Sequence, residues 1–177
     1  MSSAMVDQMR RKDGGSEIEV VVGDMTNCRV EGAFSLVFLV FNTIDNLTTQ
    51  QAQVACFENA ARHLAPGGRF LVETQVPPIQ RIPFGEDKVA FACDDAHWGV
   101  DEFNTVDQTY SSHHIWLRGS EIERLSVPFR YAWPAEMDLM AQIAGMTLES
   151  RWEDWSQRPF TSTSRKHISV WRKGGVI

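Results

Sequence analysis

The segment from Phe34 to Phe41 constrains the fold of this chain most, because it is apolar throughout apart from one serine. A surface helix or half-buried strand repeats polar positions at regular intervals, whereas a strand inside a parallel sheet is covered on both faces and reads as one continuous apolar run. We therefore predict a central strand buried on both faces and ending at Asn42 and Thr43. Such strands belong to α/β domains, in which helices and strands alternate.

The segments around this run do alternate. The sequence predicts a helix over residues 4–12, a strand over 18–22, a helix over 49–64 and a strand over 69–74. Thr48 or Thr49 is a suitable N-cap for the second helix, and Pro66 with Gly67 and Gly68 ends it. Strand, strand, helix and strand in this order are typical of a partly parallel sheet with crossover helices.

The pattern changes after residue 76. Short runs rich in β-branched and aromatic residues, at 88–93, 105–117 and 121–131, predict antiparallel hairpins added to the main sheet. Pro134 begins a helix through Ile143, and strands are predicted near 147–153 and 167–172. We treat residues 1–177 as a single domain with three parts, 1–75, 76–133 and 134–177.

Composition narrows the classes of partner. The formal net charge of −6 and the pI near 5.3 argue against a nucleic-acid binder, which needs clustered basic residues. No apolar tract is long enough to span a membrane. The cysteines are widely spaced and form no CxxC pair, so we predict reduced thiols and a cytoplasmic location.

Three pieces of sequence, in a fixed order, together resemble the class I S-adenosylmethionine-dependent methyltransferases of small molecules. They are the acidic motif Val22-Gly23-Asp24-Met25, the apolar strand with its loop from Phe34 to Asn42, and the turn and strand from His63 to Val72. The resemblance implies a Rossmann-like α/β fold, with a sheet of strand order 3-2-1-4-5-7-6 and S-adenosylmethionine lying over the carboxyl ends of the strands.

The resemblance starts late in the family's domain. Residues 4–12 resemble the helix that follows the family's second strand, so its first two strands and its glycine-rich cofactor loop would fall before Met1. We expect an N-terminally truncated sheet and favour a longer native gene product; the alternative is that the chain re-pairs its strands or associates with another copy. By itself this chain should bind S-adenosylmethionine weakly or not at all, which titration calorimetry tests.

Five candidate cofactor-binding residues follow from the resemblance. It implies that Asp24 accepts a hydrogen bond from the adenine amine, that Met25 packs on the ring, and that Phe41, Asn42 and Thr43 lie at the methionine end. The residues alone leave alternatives open. Asp24 also suits a turn or a helix N-cap, and Phe41 also suits a core position.

Candidates for catalysis and acceptor binding are less specific. Asp45 lies in the loop after the central strand, where it could position or deprotonate a nucleophile, and Asn46 beside it is a candidate acceptor contact. Turn chemistry explains both residues equally well. His97, in a predicted loop beside Trp98, is the other candidate base, with Trp98 as a further acceptor contact. The histidines lack metal-ligand spacing, so no metal site is predicted.

The sequence therefore predicts an enzyme that transfers a methyl group to an oxygen or nitrogen atom of a small molecule, with residues 76–133 supplying the acceptor pocket. A second hypothesis is a non-catalytic, methyltransferase-like module that associates as a structural dimer. A nicotinamide-binding domain is less well supported, because Pro66 to Gly68 precede a strand instead of opening a helix. In either of the first two cases we expect a homo-oligomer.

Overall fold

The computed structural model of the protein describes residues 3 to 175, which form two four-stranded sheets and three helices. The helices are α1 (Ser3–Arg10), α2 (Gln50–His63) and α3 (Pro134–Ile143). The strands are β1 (Phe34–Leu39), β2 (Leu64–Gln75), β3 (Lys88–Cys93), β4 (His97–Asn104), β5 (Thr109–Arg118), β6 (Glu121–Arg130), β7 (Met146–Trp152) and β8 (Lys166–Lys173).

The main sheet has the strand order β1-β2-β8-β7. β1 and β2 are parallel, and β8 pairs antiparallel with both β2 and β7. Taken in chain order, this is the 4-5-7-6 part of the strand order expected from the resemblance. The α/β class and the Rossmann-like architecture are therefore confirmed.

Helices α2 and α3 contact each other beside the main sheet. The side chain of Thr49 caps α2 by accepting a hydrogen bond from Ala52 N, as the sequence predicts. Phe57 of α2 meets Phe70 of β2 and Trp171 of β8 edge-on, with ring centroids 5.0 and 5.2 Å apart, and all three side chains are fully buried. Within residues 3 to 175 no helix is long and apolar enough to cross a bilayer.

The hairpin sheet consists of β3, β4, β5 and β6 in sequential antiparallel order. The sequence predicts these hairpins as additions to the main sheet, and this is wrong, because they form a sheet of their own. It also places His97 and Trp98 in a loop, where the structure has β4. Gly99 and the charged residues of this segment hide its strand character, which comes from ladder hydrogen bonds to both neighbouring strands.

Residues 18–22 are not a strand. They follow a 3₁₀ turn at Gly15–Glu17 and pair with no other strand in the described part of the chain, and Ile18, Val21 and Val22 are exposed. A β-branched run acquires strand structure only when another strand completes its hydrogen-bond ladder. The buried strand predicted here is therefore absent.

β1 is an edge strand and is not buried on both faces as the sequence predicts. It pairs only with β2, and Leu36 and Phe38 on its outer face are 47 and 58% exposed. A largely apolar groove of about 540 Å³ runs along β1, with Met25, Val30 and Phe34 among its lining residues. An unpaired apolar edge of this kind promotes association between chains.

We therefore expect the purified chain to self-associate. Sedimentation velocity at micromolar concentration should show species larger than the monomer, and Phe38→Lys, which places a charge on the outer face of β1, should shift the distribution towards the monomer. Leu125→Lys, on an exposed position of the hairpin sheet, is the matched control and should leave the distribution unchanged. A single monomeric boundary for the unsubstituted chain would contradict this expectation.

Candidate functional site

The loop after β1 has an unusual backbone. Phe41 and Asn42 both lie in the left-handed region, with φ angles of 59° and 55°. Residues other than glycine rarely adopt this conformation, and such strain is kept most often at functional sites. Both amides are held by Glu73, because Phe41 N donates to its side chain (3.2 Å) and Asn42 N donates to its carbonyl oxygen (3.2 Å).

This loop turns one aromatic ring into solvent and one polar side chain onto the sheet. The Phe41 side chain is 88% exposed, which excludes the core position considered for it. The Asn42 side chain accepts a hydrogen bond from Gln75 N at 2.8 Å, which ties the loop to the end of β2. The carboxyl ends of β1 and β2 therefore form one connected edge, the usual place for ligands in an open α/β sheet.

Asp45 lies at the centre of this edge and is 1% exposed. Thr74 Oγ1 donates to Asp45 Oδ1 at 3.2 Å, and the Tyr110 hydroxyl donates to Asp45 Oδ2, also at 3.2 Å. Gln75 Nε2 donates to the Tyr110 oxygen at 3.0 Å and approaches Asp45 Oδ2 at 3.5 Å. Because Tyr110 belongs to β5, this cluster joins the two sheets.

The environment of Asp45 favours its protonated form. Burial raises the pKa of the Asp45 carboxyl to about 6, and the hydrogen bonds from Thr74, Tyr110 and Gln75 oppose this rise without cancelling it. No Lys, Arg or His of the described residues forms an ion pair with it. A carboxyl that titrates near neutral pH at a strand-end edge is a candidate functional group.

An interlayer cavity of about 340 Å³ opens beside this cluster. Gln75 lines it and also contacts Tyr110, so the cavity adjoins the strand-end edge. The hairpin sheet contributes Val89, Phe91 and Asp101 to its wall, and the main-sheet side contributes residues 162–165, just before β8. Its volume is within the range of small-molecule sites.

The structure does not place Asp24 and Met25 beside the Phe41 loop. Asn59 Nδ2 donates to the carbonyl oxygens of Met25 (3.1 Å) and Cys28 (3.0 Å), which holds this turn against the second half of α2. The Phe41 loop precedes the first turn of α2, about 14 Å further along the helix axis at 1.5 Å per residue. Without a strand at 18–22, nothing carries Asp24 to the carboxyl edge.

The Asp24 side chain forms a turn. Its Oδ1 accepts a hydrogen bond from Thr26 N at 2.9 Å, and this bond lowers the pKa of the exposed carboxyl. The turn role that the sequence analysis gave as an alternative for Asp24 is therefore observed. Asp24 and Met25 as cofactor contacts stay predictions.

His97 and Trp98 are on β4 and not in the loop that the sequence predicts. His97 Nε2 lies 2.9 Å from His114 Nδ1, and its ring stacks against His114 and Trp116 with centroids 5.2 Å away. His97 is six residues before Phe103, the partner of Tyr110, and this corresponds to about 20 Å along the strand. The structure thus separates both residues from the Asp45 cluster.

Thr43 and Asn46 stabilise the 3₁₀ turn that carries Asp45. Thr43 Oγ1 donates to Val40 O at 2.6 Å, and the exposed Asn46 donates to Thr43 O at 3.1 Å. Among residues 3 to 175, no group of three or more acidic, histidine or cysteine side chains could hold a metal ion.

Sequence reasoning missed Glu73, Thr74, Gln75 and Tyr110. Glu73 and Thr74 end the predicted strand 69–74 and Gln75 follows it, and this position at the carboxyl end of a strand was an available signal. Tyr110 gave no signal, because its contact with Asp45 spans 65 residues of sequence and depends on how the two sheets meet.

The residues at this edge fit a cationic ligand such as a sulfonium compound. The exposed ring of Phe41 offers a π face, and the Glu73 carboxylate lies beside the loop, where its Oε1 accepts a hydrogen bond from Trp155 Nε1 at 3.0 Å. Aromatic faces and carboxylates both attract cations. Phe41 and Glu73 could therefore hold the positively charged part of S-adenosylmethionine.

Known proteins resemble this chain in sequence and in fold. A model of the methyltransferase domain family matches residues 1–68. The CcbJ methyltransferase from Streptomyces caelestis is 34% identical and superposes with a TM-score of 0.86, over 98% of this chain and 77% of that protein. The cypemycin N-terminal methyltransferase of a Streptomyces species is 27% identical, over 96% of this chain and 70% of the relative.

A structure of an amino pentose methyltransferase from Micromonospora echinaspora with bound S-adenosylmethionine shares the fold, with a TM-score of 0.59 and 20% identity, over 85% of this chain and 63% of that one. The likeness to CcbJ is high enough in identity and coverage to show the family. This chain belongs to the class I S-adenosylmethionine-dependent methyltransferases, and S-adenosylmethionine is its cofactor.

Proposed function

We propose that this enzyme methylates an oxygen or nitrogen atom of a small molecule, and that an amine nitrogen is the preferred acceptor. The observation that carries the proposal is the continuity, through Gln75, between the strand-end edge and the interlayer cavity. The names of the relatives support nitrogen: one methylates the N-terminus of cypemycin, and another acts on an amino pentose.

Residues 76–133 are the proposed acceptor-binding part of the single domain. Of the fourteen residues that line the cavity, nine fall in this range. Most of them lie on β3, on β4 and in the turn at Pro78–Arg81, so the hairpin sheet and this turn shape the space beside the main sheet. Segments that vary around a common core are where enzymes of one fold differ in substrate.

The bound cofactor supplies an electrophilic methyl carbon, which accepts the electron pair of the acceptor atom as the carbon–sulfur bond breaks and sulfur keeps the bonding pair; the acceptor then loses its surplus proton. The chain's task is to hold the acceptor in line and to exclude water. We propose that Phe41, Asn42 and Thr43 border the methyl group, with Asp24 and Met25 at the adenine end.

Asp45 is proposed as a positioning residue. At 1% exposure it does not meet a ligand directly, but its oxygens hold Thr74 and Tyr110, and through Tyr110 they hold Gln75 at the cavity wall. His97 would act as a base only on a long acceptor. It lies on the same strand face as Asp101, four residues away or about 13 Å. Asn46 and Trp98, both exposed, remain proposed acceptor contacts.

The function is tested by supplying labelled S-adenosylmethionine, at concentrations above its dissociation constant, with matched panels of amines and alcohols. Label should move to amines, and Phe41→Ala should slow the transfer strongly because the exposed ring borders the cofactor. Phe84→Ala is the matched control, since Phe84 is also an exposed phenylalanine and is not among the residues that line the interlayer cavity. Transfer to no acceptor in either panel would contradict the proposal.

Asp24→Ala should weaken binding of S-adenosylmethionine about tenfold to hundredfold, because a hydrogen bond to a charged group contributes roughly 1.5–3 kcal/mol. Asp24→Asn should cost less, since the amide oxygen still accepts. Calorimetry on a version extended by a glycine-rich cofactor loop gives the affinities. A lowered melting temperature with unchanged affinity would instead assign Asp24 a role in its own turn only.

A further inference from the structure

The lining of the interlayer cavity carries charges of both signs. Asp101 of β4 lies on the hairpin-sheet wall, where it is paired across the strands with Val89. Two exposed arginines also line the cavity: Arg81 at the end of the turn Pro78–Arg81, and Arg165 just before β8. Val76 N donates to Arg165 O at 2.8 Å, which holds the segments that bear these two arginines next to each other.

One carboxylate oxygen of Asp101 is available to a ligand. Ser112 Oγ donates to its Oδ1 at 2.6 Å, whereas Oδ2 has no hydrogen-bond partner among residues 3 to 175. No Lys or Arg of these residues forms an ion pair with the carboxyl group, which is half-buried, and burial raises its pKa. A half-buried carboxylate with one oxygen that lacks a hydrogen-bond partner can accept a hydrogen bond from an N–H group of a ligand.

The two arginines are equally unpartnered. Neither side chain forms an ion pair or hydrogen bond with any residue in the described range, although both line the same cavity, in a protein with a net charge of −6. Guanidinium groups bind carboxylates through two parallel hydrogen bonds. Two of them in the lining of one cavity therefore favour an anionic group on the ligand.

We propose that the acceptor is an amino-carboxylate compound of the size of an amino acid or dipeptide, whose amine donates to Asp101 and whose carboxylate binds Arg81 and Arg165. The inference rests on the proposed function, because it identifies the acceptor class for the same cavity. A cavity of about 340 Å³ at the small end of the ligand-site range agrees with a compact molecule.

The test compares the binding of L-alanyl-L-alanine with the binding of its C-terminal amide, by calorimetry or NMR titration without cofactor. The free acid should bind roughly tenfold to hundredfold more tightly, as expected for charge-assisted hydrogen bonds to the carboxylate. The double variant Arg81→Gln/Arg165→Gln should lose this preference. Asp101→Asn should weaken both ligands by a similar factor. N-acetylation of the dipeptide, which removes the charged amine, should weaken its binding to the unsubstituted protein by a similar factor.

Arg124→Gln is the matched control, because Arg124 is an exposed arginine of β6 that also lacks an ion pair and lies outside the cavity. It should keep the full preference for the free acid. Equal binding of acid and amide, no binding of either at millimolar concentration, or a preference that survives the double variant would overturn the inference. If the binding pattern holds but no methyl group is transferred, the cavity assignment stands and the proposed function fails for this acceptor.

Discussion

Asp45→Asn should make the folded protein more stable at pH 8 and at the same time lower its turnover. The carboxylate is buried with no cation beside it, so its charged form costs free energy in the folded state. An asparagine in its place can still accept from Tyr110 through its oxygen and donate to the Thr74 hydroxyl. The substitution therefore removes the buried charge and keeps most of the hydrogen bonds.

The pH dependence follows from the direction of the pKa shift. The folded pKa of Asp45 is about 6, above its ordinary 3.8, so the folded protein binds the proton more tightly than the unfolded chain does. The contribution of Asp45 to the free energy of unfolding therefore falls as the pH rises from about 4 to about 6, by about 3 kcal/mol at roughly 1.36 kcal/mol per pKa unit, and then stays constant. Below pH 3.8, the ordinary pKa of this carboxyl, Asp45 is protonated in both states and no buried charge lowers the stability.

Urea unfolding between pH 4 and 8 measures the effect. The Asp45→Asn protein should exceed the parent protein in stability by a margin that grows between pH 4 and 6 and stays constant above pH 6. Turnover should drop roughly tenfold, because a neutral amide oxygen holds Tyr110, and through it Gln75 at the cavity wall, less strongly than a carboxylate does, while cofactor affinity stays nearly the same. Asp95→Asn, at an exposed aspartate with no side-chain hydrogen bond to residues 3 to 175, should change neither quantity. An unchanged turnover would show that Asp45 has no part in positioning.

Arg130→Met should destabilise the protein by roughly 3 to 5 kcal/mol, the usual cost of removing one member of a buried ion pair. The Arg130 guanidinium is 4% exposed, donates to the buried Gln53 and forms an ion pair with Glu136 at 2.7 Å. Gln50 and Gln108 also donate to Glu136, so a single cluster links α2, the hairpin sheet and α3. Without the cation, the Glu136 carboxylate is left only with neutral donors.

A melting curve should show the loss as a fall in Tm of roughly 6 to 20 °C for a chain of this size. Two further variants separate the effect of burying the ion pair from the effect of leaving one charge without its partner. Arg118→Met breaks the exposed pair of Arg118 and Glu123, whose side chains are 70 and 53% exposed, and should cost less than about 1 kcal/mol. Arg130→Met combined with Glu136→Gln should recover part of the loss, since no uncompensated charge remains. If the Tm of the single variant stays within a few degrees of the parent, the cluster contributes little to stability.

Local sequence signals were sufficient for the elements whose pattern matches their environment. Helix α2 has its cap at Thr49, its apolar stripe and its stop before Pro66, and it forms close to where these signals predict. Helix α3 begins at Pro134, and β7 and β8 lie within a residue or two of their predicted bounds. In each of these elements the local preference of the residues agrees with the packing of the element in the folded chain.

Where a segment depends on partners distant in sequence, the same signals misled. The run at 18–22 has strand character but no strand to pair with, and β1 is apolar on a face that stays exposed. β4 shows the reverse case, since its poor strand pattern is overcome by ladders on both sides. Hydrogen-bond ladders are properties of two strands, so one strand's residues do not determine them.

By itself, the sequence determined the α/β class, the methyltransferase family resemblance and the place of Asp45 after the first strand of the main sheet. Only the tertiary structure decided what Asp45 does there. Thr74, Gln75 and Tyr110 reach it from two other strands, burial raises the pKa of its carboxyl, and the hydrogen bonds from these three residues oppose that rise. The acceptor cavity was decided in the same way. Its charges come from β4, the turn at Pro78–Arg81 and the segment before β8, which meet only because the hairpin sheet packs as a separate layer against the end of the main sheet.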